Sequence, residues 1–168
     1  MKQTIAEHIV PDPRRLPYRE EILEHLRELR LAGVSLVLAT ATTAKVANRV
    51  SGHLGIFDAV LASDETRNLK GPAKLAAIHA YCAKHGHDSY YYLGDSMADL
   101  PVWKEAAQVY VVAPSAGLRT AVKRLRRPTK VFAERHGPGE SLAQSVAPLA
   151  MDQEPVAVWA VAVGTRMG

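Results

Sequence analysis

Two carboxylates, Asp95 and Asp99, lie four residues apart in the stretch YYYLGDSMADL (Tyr90 to Leu100), with small Ser96 and Ala98 between them. A hard cation such as Mg²⁺ suits such a pair, because it takes few carboxylates and keeps several waters. Two other groups fall at comparable places. Thr40 ends the apolar run VSLVLAT, and Lys74 sits in the first turn of a helical segment after NLKGPAK. A hydroxyl donor and an ammonium are what a phosphoryl group needs. Each residue alone has an ordinary structural reading: a threonine that caps the next helix, a Gly-Asp turn, a solvated lysine. In this order, on successive units, they place a hydroxyl, a cation and a carboxylate pair around one cleft. Phosphate-plus-Mg²⁺ chemistry fits that constellation best.

The elements that would position these groups alternate along the chain. LPYREEILEHLRELRLAG reads as a helix, with Ile22, Leu23, Leu26 and Leu29 on one face and Gly33 as its stop. VSLVLAT is a short apolar strand. TAKVANRVSGHLG is helical, with Val46, Val50 and Leu54 at spacing four and Gly55 as the stop. AVLA is a brief strand. GPAKLAAIHAYCAKHG is a helix that begins near Pro72, buries Leu75, Ile78 and Cys82 on one face and stops at Gly86. YYYL, QVYVV and TKVFA read as strands, ADLPVWKEA and GLRTAVKRLRR as helices. Continuously apolar strands between helices predict an α/β fold, with a parallel sheet covered on both faces. Ligands of such sheets bind beyond the carboxyl ends of the strands, which is where Thr40 and Asp95 fall. Residues 134–154 hold Gly137, Pro138, Gly139 and Pro148 and read as a linker, with a short helix near Leu142 to Val146. VAVWAVAVG, Val156 to Gly164, is apolar and rich in β-branched residues.

Bulk properties narrow the classes. At 168 residues, 48% hydrophobic and 23% charged, the chain suits one globular domain. A single cysteine, Cys82, excludes an internal disulfide framework and suits a reducing, cytoplasmic setting. The start MKQTIAEHIVPDP has no apolar core of a secretory signal. No apolar run approaches the ~20 residues of a membrane helix. The net charge of +4 permits an anionic partner. The densest basic cluster is Lys123, Arg124, Arg126, Arg127 and Lys130. It lacks interleaved aromatic residues, which argues against nucleic acid and for a solvated helix end. The seven histidines show no metal-ligand spacing. Tyr90, Tyr91 and Tyr92 read as strand and core.

The three motifs, in order, resemble the haloacid dehalogenase-like (HAD) superfamily, most of whose members are phosphohydrolases. LVLAT resembles its second motif, KGPAK its third and GDSMADL its fourth. The resemblance implies a three-layer, Rossmann-like core. It makes Thr40 the phosphoryl-binding hydroxyl, Lys74 the third-motif lysine (with Lys70 a weaker candidate) and Asp95 an Mg²⁺ ligand supported by Asp99. The wording from about Leu16 to Phe132 is similar to the soluble HAD domain that precedes UbiA-type prenyltransferases.

The family's first motif, DxDx[TV], ends its first strand and carries the nucleophilic Asp. No two aspartates of this chain are separated by a single residue. The expectation is therefore an HAD core at 16–133 lacking the usual first strand and cap. Residues 1–15 are read as a cap remnant, and 134–168 as linker and apolar tail. Two functions follow. One is a Mg²⁺-dependent phosphohydrolase domain for a small phosphorylated molecule, weakly active or inactive alone, or completed by a partner chain or second copy. The other is a non-catalytic Mg²⁺-binding or partner-binding remnant. The missing strand would lie at the sheet centre, between the strands ending at Thr40 and Leu93, and Val156 to Gly164 is the expected substitute, with direct pairing of those two strands, exchange of a strand between copies and a disordered tail as the rivals.

Overall fold

The computed structural model describes residues 12–16 and 18–133, and the backbone of Val156–Trp159. After a short 3-10 turn at Pro13–Arg15, helix α1 (Glu20–Leu31) leads into strand β1 (Ser35–Thr43). Then follow α2 (Ala44–Leu54), β2 (Ala59–Ser63), α3 (Pro72–His85) and β3 (Tyr90–Gly94). A 3-10 turn at Met97–Asp99 opens α4 (Leu100–Glu105), followed by β4 (Gln108–Val112), α5 (Ala116–Arg124), β5 (Thr129–Phe132) and β6 (Val156–Trp159). The helix stops are those the sequence marks. Gly55 and Gly86 take left-handed conformations at φ 65° and 71°, which only glycine adopts without strain, and their N–H groups close the last turns of α2 and α3.

The strands form one parallel sheet in the order β2-β1-β6-β3-β4-β5. Side chains alternate across it. Val37 and Ala39 of β1 share one core with Tyr90 and Tyr92 of β3, Ile78 and Cys82 of α3, Val102 and Trp103 of α4, and Val122 of α5. Leu36 shares the opposite core with Tyr91, Leu93 and Tyr110, under Leu23 and Leu26 of α1. Leu38 packs beside it on Ala47 and Val50 of α2. Helices thus cover both faces, giving the expected three-layer α/β architecture. Cys82 is a buried small hydrophobe, and burial pushes its thiol up.

Two features differ from the sequence reading. β1 does not end at Thr40 but runs to Thr43, with a shift of its register on β2 between Ala39 and Thr43. Thr42 and Thr43 are β-branched and extend readily, which carries the strand on past the apolar run. Further on, the helix expected from Ala98 starts as a 3-10 turn, with the Ser96 hydroxyl accepting from the Ala98 N–H. The boundaries drawn at 1–15 and 134–168, and the helix expected near Leu142 to Val146, lie largely outside the described residues. Val156–Trp159 does fall between β1 and β3, paired in parallel with both. No described helix is long and apolar enough to cross a membrane.

Candidate functional site

The register of β6 sets the levels of the site. Trp159 pairs with Leu38 on one side and Leu93 on the other. Thr40 and Asp95 each lie two residues further on, so they stand level at the carboxyl edge of the sheet. β1 and β3 are two strand spacings apart, about 10 Å.

On the β3 side, three buried groups form one network. The Lys74 ammonium donates to the Tyr92 hydroxyl at 3.1 Å and to Asp99 Oδ1 at 3.2 Å, and the Tyr92 hydroxyl donates to the same Oδ1 at 2.7 Å. The side chains of Lys74 and Asp99 are only 7% and 5% exposed. An ion pair this deep survives only when further hydrogen bonds offset the lost solvation, and the phenol supplies one. Local sequence explains each position. The Ser63 hydroxyl accepts from the N–H of fully buried Leu69, and Pro72 then starts α3, so Lys74 points inward from the first turn. The short turn after β3 brings Asp99 back over Gly94. A Cβ at Gly94 would stand 2.5 Å from Asp99 Oδ2 and 3.0 Å from the Trp103 ring, so this position has room only for glycine. Trp103 donates its indole N–H to the Tyr92 carbonyl at 3.2 Å and holds the turn against the strand.

Burial, then the Asp99 carboxylate, raises the Tyr92 phenol well above its ordinary range, so it remains a neutral donor. Asp95 stands at the mouth with its side chain reaching solvent. Desolvation at the strand end and then the charge of Asp99 still push its acid upward, outweighing Lys74. A cation bound there would reverse that shift. Lys70, the weaker lysine candidate, is exposed.

The β1 side is neutral. The Thr40 hydroxyl is buried, lies 2.5 Å from the Thr42 hydroxyl and accepts from the Thr42 N–H at 3.1 Å. By the alternation of the strand it belongs with Leu36 and Leu38, on the face opposite Tyr92. Among the described residues no hydrogen bond joins it to the lysine network. The structure therefore brings Lys74 and Asp99 into contact, sets Asp95 beside them, and leaves Thr40 level with Asp95 but across the gap.

Sequence reasoning missed Tyr92, Thr42, Gly94 and Trp103. A signal for Tyr92 existed. A tyrosine within a strand buried on both faces must find a partner for its hydroxyl, and Asp95 and Asp99 follow it within seven residues. Among the described residues no group of three or more His, Cys, Asp or Glu side chains could cage a metal. That still fits Mg²⁺, which is held by one or two carboxylates and retains waters.

A parallel three-layer sheet with a lysine, a hydroxyl and acidic groups at its carboxyl edge defines the class, an α/β protein with a candidate anion and cation site at the strand ends. The model of the haloacid dehalogenase-like hydrolases matches residues 2–104, more than half of the chain. The chain belongs to that family. It is 35% identical over 112 residues to the uncharacterized protein y4nM of Sinorhizobium fredii (strain NBRC 101917 / NGR234). That match takes in 67% of this chain but 21% of y4nM, so the chain spans about a fifth of that relative. The crystal structure of a protein of unknown function from Bordetella pertussis Tohama I shares the fold, with a TM-score of 0.57 and 21% identity. The superposition covers 66% of this chain and 57% of that one.

Proposed function

We propose that this chain carries the Mg²⁺- and phosphate-binding half of an HAD-type phosphohydrolase site, with little turnover by itself. The observation that carries the reading is the buried Lys74–Tyr92–Asp99 network lying beside the mouth carboxylate Asp95, with Thr40 level across the gap. In this reading Asp95 holds the cation and Asp99 supports it electrostatically. Lys74 and the Thr40 hydroxyl bind the oxygens of a small phosphorylated molecule. Mg²⁺ would supply charge neutralisation at the phosphoryl oxygens. The protein groups bind and orient, but no Asp-x-Asp pair offers a carboxylate nucleophile, and positioning alone leaves a covalent route closed. A cytoplasmic setting belongs to the same proposal, because it rests on the lone buried cysteine. So does a larger parent protein, because the sequence resembles prenyltransferase-linked HAD domains and matches only part of y4nM.

Titrating Mg²⁺ against the wild type and Asp95→Ala by calorimetry or NMR tests the cation site. Weak binding to the wild type that is lost in the variant is expected, and equal responses would remove the site. Turnover of p-nitrophenyl phosphate should be absent or slight. Robust Mg²⁺-dependent turnover that disappears in Asp95→Asn would show that another carboxylate serves as nucleophile.

A further inference from the structure

We infer that Tyr92 is a positioning residue of this site: its hydroxyl accepts from the Lys74 ammonium and shares the Asp99 carboxylate with it, which holds the ammonium in the place from which its third N–H meets a phosphoryl oxygen. The inference rests on the proposed phosphate-binding reading.

A lysine ammonium has three N–H groups and no acceptor. Two are taken, by Tyr92 Oη at 3.1 Å and by Asp99 Oδ1 at 3.2 Å. No third partner stands among the described residues. Asp99 Oδ1 draws its shorter hydrogen bond from the phenol, at 2.7 Å, and its longer one from the ammonium. The phenol therefore does two things at once. It satisfies the carboxylate, and it offers its own oxygen as a second support for the ammonium. The three groups form a closed ring whose rigid member is the tyrosine, fixed by its strand and by Trp103 packed edge-on at 6.0 Å.

Without the hydroxyl, a buried carboxylate oxygen would be left with the ammonium alone. The ammonium would close onto Asp99, because an unpaired buried charge is the more costly alternative. Its charge would then be spent on the pair rather than offered at the mouth. A tyrosine that merely fills the core predicts something else. Its removal would lower stability and leave ligand preference unaltered.

The test uses the full chain and two probes, inorganic phosphate and MgCl₂, each titrated by calorimetry and by ³¹P or ¹⁵N NMR. Tyr92→Phe should weaken phosphate binding about tenfold, the scale of one hydrogen bond to a charged group. It should leave Mg²⁺ binding unchanged, since Asp95 and the Asp99 charge remain. Lys74→Met sets the reference for complete loss of phosphate binding. Unchanged phosphate affinity in Tyr92→Phe would overturn the inference while the proposed site survives. Equal weakening for both probes would also overturn it, because that marks general loosening. A wild type that takes up no phosphate would overturn the site reading and this inference together. Should Tyr92→Phe fail to fold, 4-fluorophenylalanine at position 92 fills the volume without a donor, and the same outcomes decide.

Discussion

The two sides of the mouth are built in opposite ways. On the β3 side every residue from Tyr90 to Gly94 is buried, and the charges behind the mouth are locked to one another through Tyr92. On the β1 side the strand shifts register, is less buried beyond Thr40 and ends in threonines, with the Thr40 and Thr42 hydroxyls bonded to each other. The first side is preorganised, because buried charges must be paired in one geometry or not at all. The second tolerates rearrangement, because neutral hydroxyls lose less than buried charges do when a partner changes. Among the described residues only β6 pairs with both sides, and its strand pairing links β2-β1 to β3-β4-β5.

Removing that link should have the largest effect. Truncation after Glu154 deletes Val156–Trp159 and leaves facing edges on β1 and β3 unpaired in the middle of the sheet. The shortened chain should aggregate or self-associate, and should melt at lower temperature. A soluble, monomeric product of undiminished thermal stability would show that the tail does not belong to the sheet, and that the two sides pair directly.

Breaking the locked side comes next. Lys74→Met strands the Asp99 carboxylate in the interior, and urea denaturation should register a loss of about 3–5 kcal/mol. Adding Asp99→Leu should recover part of that loss, since an apolar pair no longer needs solvation. A cost below about 1 kcal/mol for Lys74→Met would mean that the network is open to water.

A third measurement asks whether acid sensitivity comes from the mouth or from the layer behind it. His25 on α1 packs against Tyr110 and Phe132, and burial, then Lys130, depresses its acid to about 4 from 6.5. The unfolded chain therefore binds a proton first. Stability is fully present above about pH 6.5 and falls as the pH drops toward 4, by on the order of 2–3 kcal/mol. Denaturation at pH 7 and pH 4.5 should show this loss, and His25→Phe should flatten it. If the slope persists in His25→Phe, the acid-sensitive group lies elsewhere.

The smallest effect belongs to the open side. Thr40→Val removes one hydroxyl with its two contacts to Thr42 and keeps the branched shape, so the cost should be about 1 kcal/mol. A loss as large as that of Lys74→Met would erase the contrast between the two sides.

Much of this molecule was legible in the chain. Apolar runs of four to six residues broken by Gly55, Gly86 and Pro72 determined the order of strands and helices, because helix stops and starts are local chemistry. Thr40, Lys74, Asp95 and Asp99 stood out because each closes or follows an apolar run or opens a helical segment. The central place of Val156–Trp159 was an expectation of the resemblance, because the family's first strand lies there and its two neighbours would otherwise be left unpaired. Tertiary structure alone decided how those groups divide. Whether a lysine is solvated or sealed against a carboxylate depends on what surrounds the pair, and Tyr92, Trp103 and the missing side chain of Gly94 settle that for Lys74 and Asp99 from another part of the sequence than the lysine's own. Tyr92 looked like one core residue among three adjacent tyrosines. Alternation across the sheet turned it toward Lys74 while Tyr91 faced α1, and the side of the sheet a residue takes is a property of the packed layers, not of the residue.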